Sequence, residues 1–190
     1  ILRTHGSEAK YFHKTIGGNF RLDAIQAAVV LAKLKYLDGW TEQRRQNAKT
    51  YKKLFEKYFR VENGGFVIYT SAVDEGQRLE PPSEVVPGHI YNQYVIRIKD
   101  YMHSKSQDIR SNLREFLKRN HVATEIYYPL PLHLQECFDN LGYQQGDLPI
   151  AERAANEVLA LPIYPELTEN QLEHVVETIA YFFRFGAFGR

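Results

Sequence analysis

An α/β architecture, with a small α+β domain preceded by long helices, is what the 190-residue sequence predicts, and three features predict it. Residues 24–32 (AIQAAVVLA) are apolar on nearly every side, with Gln26 the only polar side chain between Asp23 and Lys33. Residues 89–98 (HIYNQYVIRI) are aromatic and β-branched in the manner of a strand. Residues 107–120 return to helical spacing, with Ile109, Leu113, Phe116 and Leu117 on one face.

In chain order, the opening ILRTHG reads as the end of a helix stopped by glycine, as if the chain were the later part of something longer. Gly17 and Gly18 then permit close backbone approaches that a Cβ forbids, and Asn19 and Arg21 put an amide and a guanidinium beside a helix N-terminus. Such a corner suits an anionic ligand, phosphate above all. Two glycines before a helix also make an ordinary loop, and Asn19 would serve equally as a cap. The helix that follows lacks the polar stripe of a surface helix, so it is expected to be an internal or interface rod.

Asp38 is expected to cap a second helix running to residue 59, with Trp40, Ala48, Tyr51, Phe55 and Tyr58 as its inward stripe. Its outer face carries Arg44, Arg45, Lys49, Lys52, Lys53 and Lys57. No aromatic residues interleave these charges, so a solvated face accounts for them better than a nucleic-acid surface. Residues 60–88 are rich in Gly, Pro and Ser, with a strand candidate at 66–69, and a boundary between layers or domains is expected there. Strand 89–98, helix 107–120 and a returning strand at 122–127 form an expected β-α-β unit. A helix over 149–160 starts with proline near its first position, residues 160–164 form a short strand, and a last helix from Thr168 has Gln171 in place for a capping box. No internal repeat or low-complexity tract is visible.

Composition sets outer limits. At 44% hydrophobic the chain is long enough to bury roughly 70% of its extended surface. With 24 Lys+Arg against 23 Asp+Glu, it has no global drive toward nucleic acid or anionic membrane. The longest uninterrupted apolar run falls far short of the ~20 residues that span a bilayer. One cysteine, Cys137, excludes an intrachain disulfide, and no Cys-x-x-Cys or His-x-x-x-His pair suggests a metal site. A reducing cytoplasm fits this usage. Cys137 and His133 lie four apart, which raises a cysteine nucleophile as a remote alternative that lacks an orienting third group.

Four strings, GGNFRLDAIQAAVVLAKLKYLDGW, HIYNQYVIR, EIYYPLPLHLQECF and GDLPIAERAANEVLALPIYPELTENQ, in this order closely resemble the C-terminal half of the DegT/DnrJ/EryC1/StrS family of pyridoxal-phosphate-dependent sugar aminotransferases. The resemblance runs over essentially the whole chain. It implies the C-terminal part of a fold type I transferase, with residues 1–59 as the end of the large domain and its linking, interface-forming helices, and 60–190 as the small domain. It also implies pyridoxal 5'-phosphate as cofactor and a cytoplasmic homodimer with shared active sites. The implied reaction is amino transfer, with glutamate as donor, to a nucleotide-linked keto-deoxysugar in polysaccharide or secondary-metabolite sugar biosynthesis.

The family's cofactor-holding lysine sits in a Ser-x-x-Lys stretch upstream of the segment resembling residues 17–37, and no lysine here has that context; Lys10 and Lys14 follow His5-Gly6 and are not candidates. No catalytic residue is therefore assigned in this chain. By resemblance, Asn19 and Gly18 reach the phosphate of the partner's cofactor in trans, and Arg21, His133, Tyr127 and Tyr128 line the substrate cleft. His89 reads as a hydrogen-bonded structural imidazole, and Tyr11 and His13 are weaker candidates. Asn92-Gln93-Tyr94 resembles members that aminate the sugar's C3. An alternative is a lysine-lacking member or a fragment serving as a binding or dimerisation module.

Overall fold

The computed structural model describes residues 1–9, 12–20, 22–62, 65–67, 77–84, 87–100 and 109–186. Its contacts group into two compact units, Ile1–Gly39 and Trp40–Arg190.

In the first unit, β1 (Ser7–Ala9) and β2 (Phe12–His13) form a small antiparallel pair, and Thr4 bridges Asn19. The opening residues thus turn and pair rather than end a helix. Gly6 sits at φ +75°, and a Cβ there would lie 1.7 Å from the Thr15 carbonyl oxygen, so this crossing admits only glycine. Helix α1 (Ala24–Leu34) follows, with the Asp23 carboxylate accepting from the Gln26 N–H at 2.9 Å. Asp23, not Asn19, is the N-cap. None of the α1 side chains is buried; Ile25 and Leu31 are 76% and 71% exposed.

The second unit is built on an antiparallel five-stranded sheet of order β3-β4-β5-β6-β7: β3 (Arg60–Glu62), β4 (Gly65–Val67), β5 (Gln77–Glu80), β6 (Tyr94–Asp100) and β7 (Val158–Leu161). The stretch expected as a break supplies three of these strands. Of the expected strand at 66–69, the last two positions lie outside the described residues. Along β6 the period of two is clear: Tyr94, Ile96 and Ile98 are buried, while Arg97 on the opposite face pairs with Glu157.

Helix α2 (Leu37–Tyr58) runs into this unit with Asp38 in its first turn rather than as its cap. It buries Ala48, Tyr51 and Phe55 as expected, together with Asn47 and Leu54. Two of its buried polar groups are satisfied, since Asn47 Nδ2 donates to the Tyr164 carbonyl at 2.8 Å and the Tyr51 hydroxyl donates to the Pro162 carbonyl at 2.9 Å, whereas the buried Nε of Arg44 finds no acceptor among the described residues. The Tyr51 and Tyr94 rings meet at 4.7 Å, and desolvation pushes both phenols well above the ordinary tyrosine value. The lysines of the outer face are solvated, but Arg44 and Arg45 are half-buried. Arg45 donates to the Gly88 and His89 carbonyls at 2.8 and 3.1 Å, so it pins the loop ahead of β6.

Helix α3 (Ile109–Arg119) packs on β6, β7 and helix α5 (Glu169–Tyr181). The segment after α3 is not the returning strand of a β-α-β unit. Only Glu125 pairs, with Ala160 of β7, through bonds of 3.2 and 2.8 Å. Since β6 and β7 already pair antiparallel, residues 122–127 are left on the outer side of β7. Helix α4 (Pro149–Glu157) has proline in its first turn and gives way to β7 three residues before the expected end. The capping box of α5 forms as expected between Thr168 and Gln171.

Candidate functional site

Each unit holds a set of the residues singled out by the sequence. In the first, the Gly18 N–H donates to the Leu2 carbonyl at 3.0 Å, the Gly18 carbonyl accepts from His5 N–H at 3.0 Å, and Phe20 N–H donates to Arg3 at 3.1 Å. These bonds flank Asn19 and leave it at a non-hydrogen-bonded position, where its own N–H and C=O point away from the paired strand. Asn19 is exposed, and neither its backbone N–H nor its side-chain amide has a partner among the described residues. Gly18 contributes the lack of a side chain rather than a free donor. At Gly17 a Cβ would come within 2.5 Å of the Gly6 nitrogen and the Leu2 carbonyl oxygen.

The helix N-terminus next to this corner already carries the Asp23 carboxylate, so an anion there would be met by Asn19 and not by the α1 dipole. Arg21, Lys10 and Tyr11 lie outside the described residues, and the His13 side chain does too. Lys14 is exposed and pairs with Glu8 at 3.2 Å.

In the second unit, Tyr127 and Tyr128 stand edge to face, ring centroids 5.8 Å apart, at a hollow of about 310 Å³. One wall is Leu130, Pro131, Leu132 and Gln135; the other is Ala151, Ala154, Ala155 and Val158. Tyr127 also borders a neighbouring hollow of about 330 Å³ rimmed by Asn92, Gln93 and Thr124. The lining combines small apolar side chains with aromatic and amide-bearing ones, which suits a ligand with a flat or apolar body and polar edges.

His133 is not on the surface of this cleft. It is 7% exposed, and its Nε2 lies 3.0 Å from Glu152 Oε1. The carboxylate can only accept, so Nε2 carries the hydrogen. Glu152 also accepts from the Gly146 and Leu148 N–H groups. The Gly146 bond first, with His133 and Leu148 adding to it, holds the Glu152 carboxyl below the ordinary glutamate range. Glu152 is the residue that sequence reasoning missed; its spacing from His133 carries no local signal, because the two meet only through tertiary structure.

His89 behaves as a structural imidazole: its Nδ1 accepts from the Tyr91 N–H at 3.0 Å, and its ring lies 4.5 Å from that of Tyr91. Cys137 is exposed while His133 is buried against Glu152, so that histidine has no free ring nitrogen Nε2 to act as a base toward the thiol. Among the described residues, no cluster of His, Cys, Asp and Glu could hold a metal ion, and no helix is long and apolar enough to cross a membrane.

Residues 1–180 match the model of the DegT/DnrJ/EryC1/StrS aminotransferase family. A "Pleiotropic regulatory protein" of Geobacillus stearothermophilus is 44% identical, over 97% of this chain and 43% of that protein. A dTDP-3-amino-3,6-dideoxy-alpha-D-galactopyranose transaminase of Aneurinibacillus thermoaerophilus is 30% identical, over 94% of this chain and 41% of its own length. The crystal structure of S. venezuelae DesV in complex with a ketimine intermediate superposes with a TM-score of 0.71 at 29% identity, covering 96% of this chain and 42% of that one. The chain thus spans less than half the length of the relatives it matches, which fits the C-terminal part of a fold type I architecture. It belongs to the DegT/DnrJ/EryC1/StrS aminotransferase family.

Proposed function

We propose that this chain works within a pyridoxal-phosphate-dependent aminotransferase that transfers an amino group, from glutamate, to a nucleotide-linked keto-deoxysugar. The observation that carries the reading is the family match over residues 1–180 together with a glycine-built corner whose Asn19 amide and N–H have no partner among the described residues. Two neutral donors on a backbone pinned by glycines suit a phosphate group, so the residues present fit that end of the cofactor. When bound, pyridoxal phosphate supplies the electron sink of the reaction.

The chain's own residues bind and orient. In a cytoplasmic homodimer with shared sites, Asn19 holds the phosphate of the partner's cofactor, Gly18 lets the backbone approach it, and Arg21 answers the substrate's charge. Tyr127 and Tyr128 border the substrate hollow, and His133 belongs to the turn whose Leu132 lines it. Residues 1–59 close the large domain and link it to the small domain, 60–190; the second half of α2 is the part of the link that packs into the small domain's core.

Borohydride reduction of the full-length protein is expected to fix the cofactor on a lysine outside these 190 residues. Asn19→Ala is expected to weaken cofactor retention while the circular dichroism spectrum stays unchanged. Unaltered retention removes Asn19 from the site. A second reading, a binding or dimerisation module without the lysine, is favoured by the regulatory name of the 44% identical relative. Absence of both covalent fixation and amino transfer would select it.

A further inference from the structure

The Glu152 carboxylate gathers donors from two separate segments. Gly146 N–H reaches its two oxygens at 2.9 and 3.0 Å, and Leu148 N–H reaches Oε1 at 3.3 Å; both belong to the loop leading into α4. His133, at 3.0 Å, belongs to the 3₁₀ turn Leu132–Leu134 on the opposite wall of the hollow below Tyr127 and Tyr128. Reaching back to the start of its own helix accounts for the Leu148 bond. It does not account for the bond from the other wall. The side chains of His133 and Glu152 are 5% and 15% exposed, so this contact is made away from water, where a missing partner is costly.

The wall carrying His133 is otherwise short of regular hydrogen bonding. It consists of a Pro-rich stretch and one 3₁₀ turn, closed by bonds from Leu134 to Pro131 and from Gln135 to Leu132 that stay within the turn. The other wall is a regular helix, α4. One carboxylate therefore ties an irregular wall to a rigid one. We infer that Glu152, acting through His133, is a positioning residue that fixes the width of the hollow bordered by Tyr127 and Tyr128, and so the fit of the carbonyl substrate; the substrate half of this inference rests on the proposed function.

The test uses the full-length, cofactor-loaded protein with Glu152→Leu and Glu152→Gln, and a dTDP-linked 3-keto-6-deoxyhexose as probe. Leucine removes every acceptor, whereas the glutamine carbonyl replaces Oε1 for His133 and both N–H groups. Glu152→Leu is expected to speed amide hydrogen exchange over residues 130–135 and to raise KM for the probe by about tenfold. The half-reaction with glutamate should keep its rate, and Glu152→Gln should restore both readouts. Unchanged exchange over 130–135 overturns the inference, as does an unchanged KM, or an equal loss in both half-reactions, which would mark a general structural role. Should Glu152→Leu fail to fold, His133→Phe cuts the cross-wall bond alone and is judged on the same two readouts. If the wild type transfers no amino group, the proposed function falls, and the exchange comparison still decides whether Glu152 holds the wall.

Discussion

Helices α1 and α2 follow one another in the chain and meet opposite fates. The first is the more apolar, yet it buries nothing; the second is studded with lysine, yet its stripe of Tyr51, Leu54 and Phe55 lies in the core. Burial follows from which side chains face a complementary surface, not from how many are apolar. For α2 that surface is present: Tyr94 and the carbonyls of Pro162 and Tyr164 are within reach of its inward face. For α1 no cover exists among the described residues, which leaves a run of exposed Ile25, Val29, Val30, Leu31 and Leu34. A contiguous exposed apolar face of this kind marks a surface meant to meet other protein. The proposed homodimer and large domain would supply it.

The contrast breaks most readily in α2. Phe55→Ala should cost about 3–5 kcal/mol in a urea unfolding experiment on this chain, because a fully enclosed ring is removed and only partly replaced by collapse. A loss below about 1 kcal/mol would mean that α2 is not a core helix. Tyr51→Phe is a narrower probe: it keeps the ring and leaves the half-buried Pro162 carbonyl without its donor, for an expected loss of about 1–3 kcal/mol.

Acid tests a polar knot against these apolar contacts. The Glu152 carboxyl is held below its ordinary value, so its contribution is fully present above the ordinary glutamate range and is lost as pH falls through the lowered value. Glu173, lowered first by its hydrogen bond from Lys57, adds to the same acid limb. In Glu152→Gln the fall of Tm on acidification should be shallower than in the wild type; an identical slope would assign the acid limb to other carboxyls. The smallest effect belongs to α1. Leu31→Ala should change the stability of this chain by no more than about 0.5 kcal/mol, as expected at an exposed position, while weakening dimerisation of the full-length protein. A large loss in this chain alone would show that α1 is covered after all.

Much of this molecule is legible before folding. The capping box at Thr168 and Gln171, the helical spacing of Leu113 and Leu117, and the strand character of the second half of residues 89–98 depend on neighbours within a few positions and are present; residues 89–93, expected in the same strand, form the loop ahead of it. Local signals failed where partners are remote. Residues 122–127 have strand-like composition, but β7 had already taken the ladder positions beside β6, so only Glu125 finds a pairing partner. Residues 60–88 look like a break because Gly and Pro punctuate them, yet the short strands β3, β4 and β5 within them pair in chain order and form one side of the sheet. His133 was legible as a notable residue and not as a buried one, since its partner is nineteen positions away on another element.

What the sequence by itself determined is the main helices, the central strand, the family and the glycine corner, because those rest on short-range sterics, period and motif. Gly6 and Gly17 are dictated by backbone approaches of 1.7 and 2.5 Å that no Cβ could survive. Only the tertiary structure decided that Asp23 and not Asn19 caps α1, that Arg45 grips the loop before β6, and that Glu152 joins the two walls of the hollow. The physical reason is common to all three. Which of several competent donors or acceptors is used depends on distances between segments, and those distances exist only once the chain has packed.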